Sequence, residues 1–364
     1  MSISATKTAS SSPFELTLRL RPGSRVDVID VTREVKAAVG DRLARHRRAL
    51  YCSHHTTAGY LEQSLCSRLR HDPDALDRFI GAFRQLFPPE ADYQHDRLEL
   101  RHELSEEQRQ TEPLNADSHL TYIGSGLNNC VTYVNRAEAP VFFIELDGVF
   151  KDRHRIRRTT VIGYDQEREV TKLSIDVPVS RHTIDSVNLR DPRLGIMEQI
   201  EHEIARHGIE AGRVVVTLDG AEHHAGLTVN EYETMLMQHD LVEVLRNPVR
   251  FMAEKGRHML ANPRAIPNKT LNYAKYDMVR IYNELLDVLG ITETRLEKLL
   301  AELVTRPASR FLRMRHSVNF LVSTQGRGSQ PAIVAGRYQS PILVQWQRSE
   351  KSARRLTVSL TRFD

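Results

Sequence analysis

Two stretches of the chain, CSHHTTAGYLEQ at residues 52 to 63 and AEHHAGLTVNEYE at residues 221 to 233, carry a paired histidine and an Ala-Gly step in the same order. A repeat on this scale restricts the fold more than any local propensity, because both copies must be built the same way. The approaches to the two stretches also match. In the first half Phe14 to Leu20 alternates apolar and polar residues, as a half-buried strand does. Val26 to Val31 follows the Pro22-Gly23 turn, Thr32 opens a helical stretch through Val35, Val39 and Leu43, and Arg47 to His54 returns to strand. In the second half Lys172 to Val179 alternates. Leu194, Met197, Ile200 and Ile204 share a helical face that ends at Gly208, and Arg213 to Leu218 is a strand. Leu43-Ala44-Arg45-His46 is echoed by Ile204-Ala205-Arg206-His207.

The ends repeat as well. His119 to Gly148 and Phe320 to Trp346 each read as strand, Gly-containing turn, strand, turn, Pro, strand, with Pro140 and Pro341 at strand starts. The reading is therefore α+β: two tandem units, each of two packed, mainly antiparallel sheets flanked by helices. The expected organisation is a flexible tail at residues 1–12, a first unit at 13–168 and a second at 169–364. About residues 232–305 form a helical insertion, richer in helix than residues 60–115. YDMVRIYNELLDVLG and TRLEKLLAELV supply its apolar stripes, and the Pro-rich NPRAIPNK (Asn262 to Lys269) a loop.

A length of 364 residues suits two domains, and no apolar run reaches the roughly 20 residues of a membrane helix. The first residues lack the apolar core of a secretory signal, and three cysteines are too few for a disulfide framework, so a cytoplasmic protein without membrane association is expected. Fifty-one Lys and Arg against forty-seven Asp and Glu argue against nucleic acid as the partner, despite the basic run Arg153 to Arg158.

The polar residues that carry chemistry lie in the first half, where predicted strands meet loops. They are His55, Thr56 and Thr57 in HTTAG, Tyr93 and His95 in DYQH, and Asn115 and His119 in NADSH. Histidine at neutral pH binds metal, moves protons or, when charged, pairs with phosphate. Thr56 and Thr57 fall at an expected helix start, suited to an anion. His54, His46, His71 and His154 read as bystanders, the last three solvated.

HTTAG, Tyr93 with His95, NADSH and Glu145-Leu146-Asp147-Gly148, in this order, resemble the YjbQ family, the secondary thiamine-phosphate synthase family. The likeness spans about residues 14 to 165, and the second half resembles the family through AGLTVNE, Ala225 to Glu231. The resemblance implies a trimer-forming α+β unit with sites near subunit boundaries. It also implies thiamine-phosphate synthase-like transfer, joining a pyrimidine pyrophosphate to a thiazole phosphate with release of pyrophosphate. By that likeness His55, His95, His119 and Asp147 are catalytic candidates. Thr56, Thr57, Tyr93, Asn115, Arg153 and Arg155 are candidates for binding a small phosphorylated substrate; the two arginines qualify if Val149 to Asp152 is an insertion. A divalent metal would be Mg²⁺ on Glu145 or Asp147, or Zn²⁺ on His55, His95 and His119 with Glu145 as ligand or orienting partner.

The chain departs from the family pattern at several places. Gln63-Ser64 replaces the usual Asn-Glu, the family's GTWQ run is missing before Phe142, and Val149 and Phe150 follow Asp147-Gly148. In the second half Glu222 stands at the His55 position and Phe320 at that of His119, yet Asn230 and Glu231 are kept. The expectation is a histidine site in the first unit and a mainly structural second unit. A variant has Asn230 and Glu231 completing the site across the boundary. A non-catalytic ligand-binding or assembly protein and a metal-dependent phosphohydrolase are the alternatives.

Overall fold

In the computed structural model the described residues are 12–151, 153–246, 251, 314–324 and 330–364. The first unit contributes strands β1 (Phe14–Leu20), β2 (Asp27–Asp30), β3 (Arg48–Ser53), β4 (Ala58–Gly59), β5 (Cys130–Val134), β6 (Phe142–Glu145), β7 (Val149–Phe150), β8 (Arg153–His154) and β9 (Arg157–Tyr164). The second contributes β10 (Glu167–Pro178), β11 (Asp185–Asn188), β12 (Ala211–Leu218), β13 (Ala225–Asn230), β14 (Ser317–Ser323), β15 (Ala332–Val334), β16 (Ser340–Gln345) and β17 (Ala353–Phe363). The first unit's helices are α1 (Val31–Val39), α2 (Gln63–Arg68), α3 (Pro73–Leu86), α4 (Glu106–Thr111) and α5 (Ala116–Ser125). Those of the second are α6 (Ile196–Arg206) and α7 (Leu241–Arg246).

The two units have the same wiring. The large sheet runs β1-β9-β3-β5 in the first and β10-β17-β12-β14-β15 in the second, and the small sheet runs β2-β6-β4 and β11-β16-β13. Every pairing in these four sheets is antiparallel. The registers agree residue for residue where it matters: Glu145 lies opposite Asp27 and Ala58, and Gln345 opposite Asp185 and Ala225. Only Asp165 and Gln166 separate β9 from β10, which sets the junction of the units three residues before the expected boundary.

The units pack through their large sheets. Strand β12 alternates in burial, as a half-buried strand should, whereas β3 is buried from Ala49 to Ser53. The reason is that β3 faces two cores. Ala49 and Tyr51 point into the first unit's own core, while Leu50 and Cys52 join Cys130, Ile162 and Tyr164 against Leu321 and Phe363 of the second unit. Tyr164 and Phe363 stack with ring centroids 3.9 Å apart. The second unit's own core is separate, filled by Val214, Val216 and Leu218 of β12 and Ile200 and Ile204 of α6. Leu236, Leu241, Val244 and Phe251, by contrast, pack into the first unit's core, so the start of the long insertion crosses the boundary.

Several sequence expectations are corrected. His119 lies on helix α5 rather than on a strand; its neighbours are buried all round, and the left-handed Gly126 ends the helix. The strand equivalent to β14 is β5, so Phe320 is not the counterpart of His119. Thr56 and Thr57 form a turn into β4, and the next helix starts only at Gln63, so they offer no helix N-terminus to an anion. Helices α2, α3 and α4 lie within residues 63–111; most of residues 232–305, expected to be richer in helix, lie outside the described residues. His46 is buried and near Asp165 rather than solvated. The expected helices YDMVRIYNELLDVLG and TRLEKLLAELV and the loop NPRAIPNK lie outside the described residues.

The connection between β15 and β16 closes over the HTTAG turn. The Gln339 amide donates to the carbonyls of Ser53 (3.0 Å) and His55 (2.8 Å), and Gly336 sits directly on the His54 carbonyl, where a Cβ would collide. Gly336→Ala is therefore expected to cost about 1–3 kcal/mol, as forced overpacking does. Gly220→Ala, which meets open space, should be close to neutral. Urea denaturation of the two variants checks this.

Candidate functional site

At the base of the site a buried guanidinium collects the motifs that are far apart in sequence. Arg157, first residue of β9, donates to both carboxylate oxygens of Glu145, to the Asp147 carbonyl (2.7 Å) and to the Thr57 hydroxyl (3.3 Å). Glu145 also accepts the backbone N–H groups of Leu146 (3.1 Å) and Asp147 (2.7 Å). Burial raises the Glu145 carboxyl, and the Arg157 guanidinium opposes that shift. The His55 ring lies against the same arginine. Its Nε2 accepts the Arg158 backbone N–H at 2.8 Å, which puts the ring proton on Nδ1, 3.4 Å from Arg157. Burial and the neighbouring Arg157 push His55 down to about 3, so this imidazole is neutral at physiological pH.

The second unit holds the same node with different residues. Arg354 donates to Gln345 (3.3 Å), to the Gln347 carbonyl and to Glu222 (2.6 Å). Glu222 also accepts the Arg355 backbone N–H (3.1 Å), the role His55 plays toward Arg158. The anion has moved from the strand end, Glu145, to the turn, Glu222. The second unit thus has the same scaffold at this point, with a carboxylate where the first has an imidazole.

Above this base a second cluster forms at the boundary between the units. His95 and His119 are fully buried with ring centroids 5.3 Å apart. His119 Nδ1 is 2.7 Å from the Asn230 side-chain oxygen, and the Asn230 amide donates to the Thr56 carbonyl (3.2 Å). Asn230 thereby fixes the proton on His119 Nδ1 and leaves Nε2 as the acceptor, 3.8 Å from the Glu231 carboxylate. His95 Nδ1 meets Asp96 at 3.0 Å, while its buried Nε2 has no hydrogen-bond partner. Arg101, 1 % exposed, lies between Glu103 and Glu112 of the first unit and Glu231 and Glu233 of the second.

The two imidazoles are driven in opposite directions. Burial and the adjacent His95 hold His119 well below its usual range. Burial also acts against the charged form of His95, but the hydrogen bond and charge of Asp96 outweigh it, and the result is an upward shift. Two imidazoles in ring contact whose surroundings push them apart form an arrangement suited to moving a proton. Burial raises Glu231 as well. Arg155, paired with Asp147 at 3.0 Å, and Glu231 are the partly exposed members of the surround, whereas the histidines are sealed beneath.

The sequence candidates divide accordingly. His95, His119, Asn230 and Glu231 come together, with Asn115 and Arg155 bound to Asp147 beside them. His55, Thr57, Glu145 and the Asp147 carbonyl belong to the Arg157 node. Thr56 contributes its carbonyl rather than its hydroxyl. Tyr93 is buried, and its hydroxyl donates to the Pro88 carbonyl (2.9 Å). Arg153 is exposed on the β7–β8 hairpin. His54 is a bystander as read, its ring 2.9 Å from the Thr160 hydroxyl. The metal set His55, His95, His119 and Glu145 does not converge. His55 Nε2 and both Glu145 oxygens are already occupied, and among the described residues no three His, Cys, Asp or Glu side chains group as metal ligands. Arg157, Arg101 and Asp240 were not foreseen. For Arg157 a signal existed: Arg157-Arg158-Thr159-Thr160-Val161 repeats as Arg354-Arg355-Leu356-Thr357-Val358.

Two outcomes follow from the electrostatics. Glu145→Gln leaves Arg157 without an anion and should cost about 3–5 kcal/mol; adding His55→Glu, which copies the second unit, should recover part of that loss in urea melts. For His119 the folded pKa lies below the unfolded value of about 6.5, so the unfolded chain takes up a proton that the native state refuses. Its contribution is complete above that value and is lost as pH falls. The stability lead of wild type over His119→Gln should shrink by about 1.4 kcal/mol per pH unit below about 6.5.

No protein-family model matches the chain, and no curated protein does. Among solved structures it is similar to a YbjQ-like protein of unknown function from Sulfolobus solfataricus P2, with 16 % identity over 54 % of this chain and 99 % of that one and a TM-score of 0.28. It is also similar to a hypothetical protein from Aeropyrum pernix K1, with 16 % identity over 52 % and 96 % and a TM-score of 0.27. A third is an uncharacterized conserved protein of the yjbq/upf0047 family from Clostridium acetobutylicum, with 12 % identity over 52 % and 99 % and a TM-score of 0.25.

Proposed function

We propose that the chain is a tandem YjbQ-like protein, arisen by duplication, that acts on a small phosphorylated molecule at the boundary between its units. His95 and His119 lie beneath its partly exposed rim of Arg155 and Glu231. The reading is carried by one observation: two buried histidines in ring contact are each bonded at Nδ1 by a polar side chain, His119 by Asn230 of one unit and His95 by Asp96 of the other. A shared strand order in the two halves, with β15 added at the edge of the second, supports the duplication. Arg155 and the exposed Arg153 are the cations open to a phosphate, and Arg155 combines that with a position beside Asp147.

The reaction that the family likeness suggests is thiamine-phosphate synthase-like transfer. The bond from the pyrimidine methylene carbon to pyrophosphate breaks, and a bond from that carbon to the thiazole nitrogen forms. Negative charge develops on the departing pyrophosphate, where Arg155 and a protonated His95 would neutralise it. No step is assigned to a metal. Assembly of the chain as a trimer, the state the family likeness implies, would join six units around one axis.

Ligand binding raises the melting temperature by linkage. Pyrophosphate or thiamine phosphate is expected to raise it for wild type and for His223→Ala, which alters an exposed residue of the second unit. Glu231→Ala and His119→Ala should lose the shift, and with it pyrophosphate release from a mixture of the two substrates. No shift with either ligand, or a shift that survives both variants, would overturn the reading in favour of a non-catalytic protein. Phosphate release from a generic ester, abolished by His119→Ala, would favour a phosphohydrolase instead.

A further inference from the structure

The boundary cluster depends on a residue of the second unit that touches neither histidine ring. Asp240 is fully buried at the end of a single wide helical turn, Leu236–Asp240, whose bonds run i to i+5. Such turns are rare and recur beside functional sites. One carboxylate oxygen accepts the Gln94 backbone N–H and the other accepts that of His95, both at 2.9 Å. The pair grips the loop that presents His95. The grip is relayed, because Asp96 next in the chain both bonds His95 Nδ1 and accepts the Ala116 N–H at 3.0 Å, at the start of the helix that carries His119. Asn230 then returns the path to the second unit. The turn itself is held by Glu233, which accepts the N–H groups of Met235 (2.9 Å) and Leu236 (2.7 Å) and lies beside Arg101.

We infer that Asp240 is a positioning residue, through which the second unit sets the orientation of the His95 ring against His119. The second unit, having lost its own imidazoles, serves as a fixed brace for the site of the first. Nothing else among the described residues accepts the Gln94 and His95 N–H groups, and a loop left to itself would present two buried donors without acceptors.

The inference builds on the boundary site but not on its chemistry, so its test needs no ligand. Asp240→Asn keeps the shape of the side chain and removes one of the two acceptors. In the full-length chain, the ring signals of His95 are assigned with His95→Gln and titrated by NMR. The groups facing that ring are Asp96, Arg101, Glu103, Glu231, Glu233 and His119, all left in place, and Asp240 itself, whose charge is lost in Asp240→Asn and kept in Asp240→Glu, so that a shift seen in both variants reports position rather than lost charge. Asp240→Asn is expected to make the His95 imidazolium about tenfold more acidic, by loosening its contact with Asp96, and to move the Gln94 and His95 amide signals. Glu243→Gln, on α7 just beyond, should change neither. If His95 titrates in Asp240→Asn as in wild type, the positioning role is wrong, whatever happens to the melting temperature. Should the variant not fold, the same titration on Asp240→Glu decides, because a longer carboxylate cannot keep both bonds and a mere filler would tolerate it.

Discussion

A guanidinium buried without an anion is too costly to keep, and that constraint shapes both units. In the first, Arg157 draws the end of β6, the turn after β3 and the start of β9 onto one point. The anion it takes, Glu145, is held in turn by backbone N–H groups. In the second, Arg354 makes the same demands of β16 and of the turn before β13, and Glu222 supplies the charge. The pyramid of side chains is therefore a property of the fold, and its chemistry is a property of which residue carries the charge. Where the strand end is anionic, the turn is free to present a neutral imidazole. Where the turn is anionic, it cannot.

The same division governs the boundary. At equivalent places, each five residues after the Ala of its Ala-Gly step, stand Gln63 and Asn230. Gln63 turns back on its own unit, pairing its amide with the backbone of Val134 at the open edge of β5. Asn230 reaches across to His119 and to Thr56. One position covers a sheet edge in one unit and bonds across the boundary in the other, so the two units build one composite cluster from unlike parts. The apolar contact of the large sheets holds these parts in register, which explains why β3 is buried on both faces while β12 is not.

Much of this was legible in the chain. Period-two strands, the helical face of Leu194 to Ile204 and the repeated Ala-Gly step pointed to the class and the two-unit arrangement. The histidines at 95 and 119, singled out through resemblance, do come together in one buried cluster. What was hidden had a common physical cause, namely that it depends on partners distant in sequence. Buried on all sides, HLTYIGS carries no helical stripe, and its Thr, Tyr and Ile favour a strand, so α5 was read as β structure. His55 looked free until Arg158 came to its Nε2. Tyr93 looked available until Pro88 took its hydroxyl. Asp240 lies in an apolar stretch whose pattern says packing, and only the fold brings it under the His95 loop.

The account turns on one contact, the bond between His119 of the first unit and Asn230 of the second. A double-mutant cycle with His119→Ala and Asn230→Ala, read by urea unfolding at pH 7.5, measures it most directly. Residues in direct contact couple by about 0.5–3 kcal/mol, and the prediction is a coupling of about 1 kcal/mol or more. Effects that simply add, within about 0.3 kcal/mol, would show that the two units do not share a site at this point.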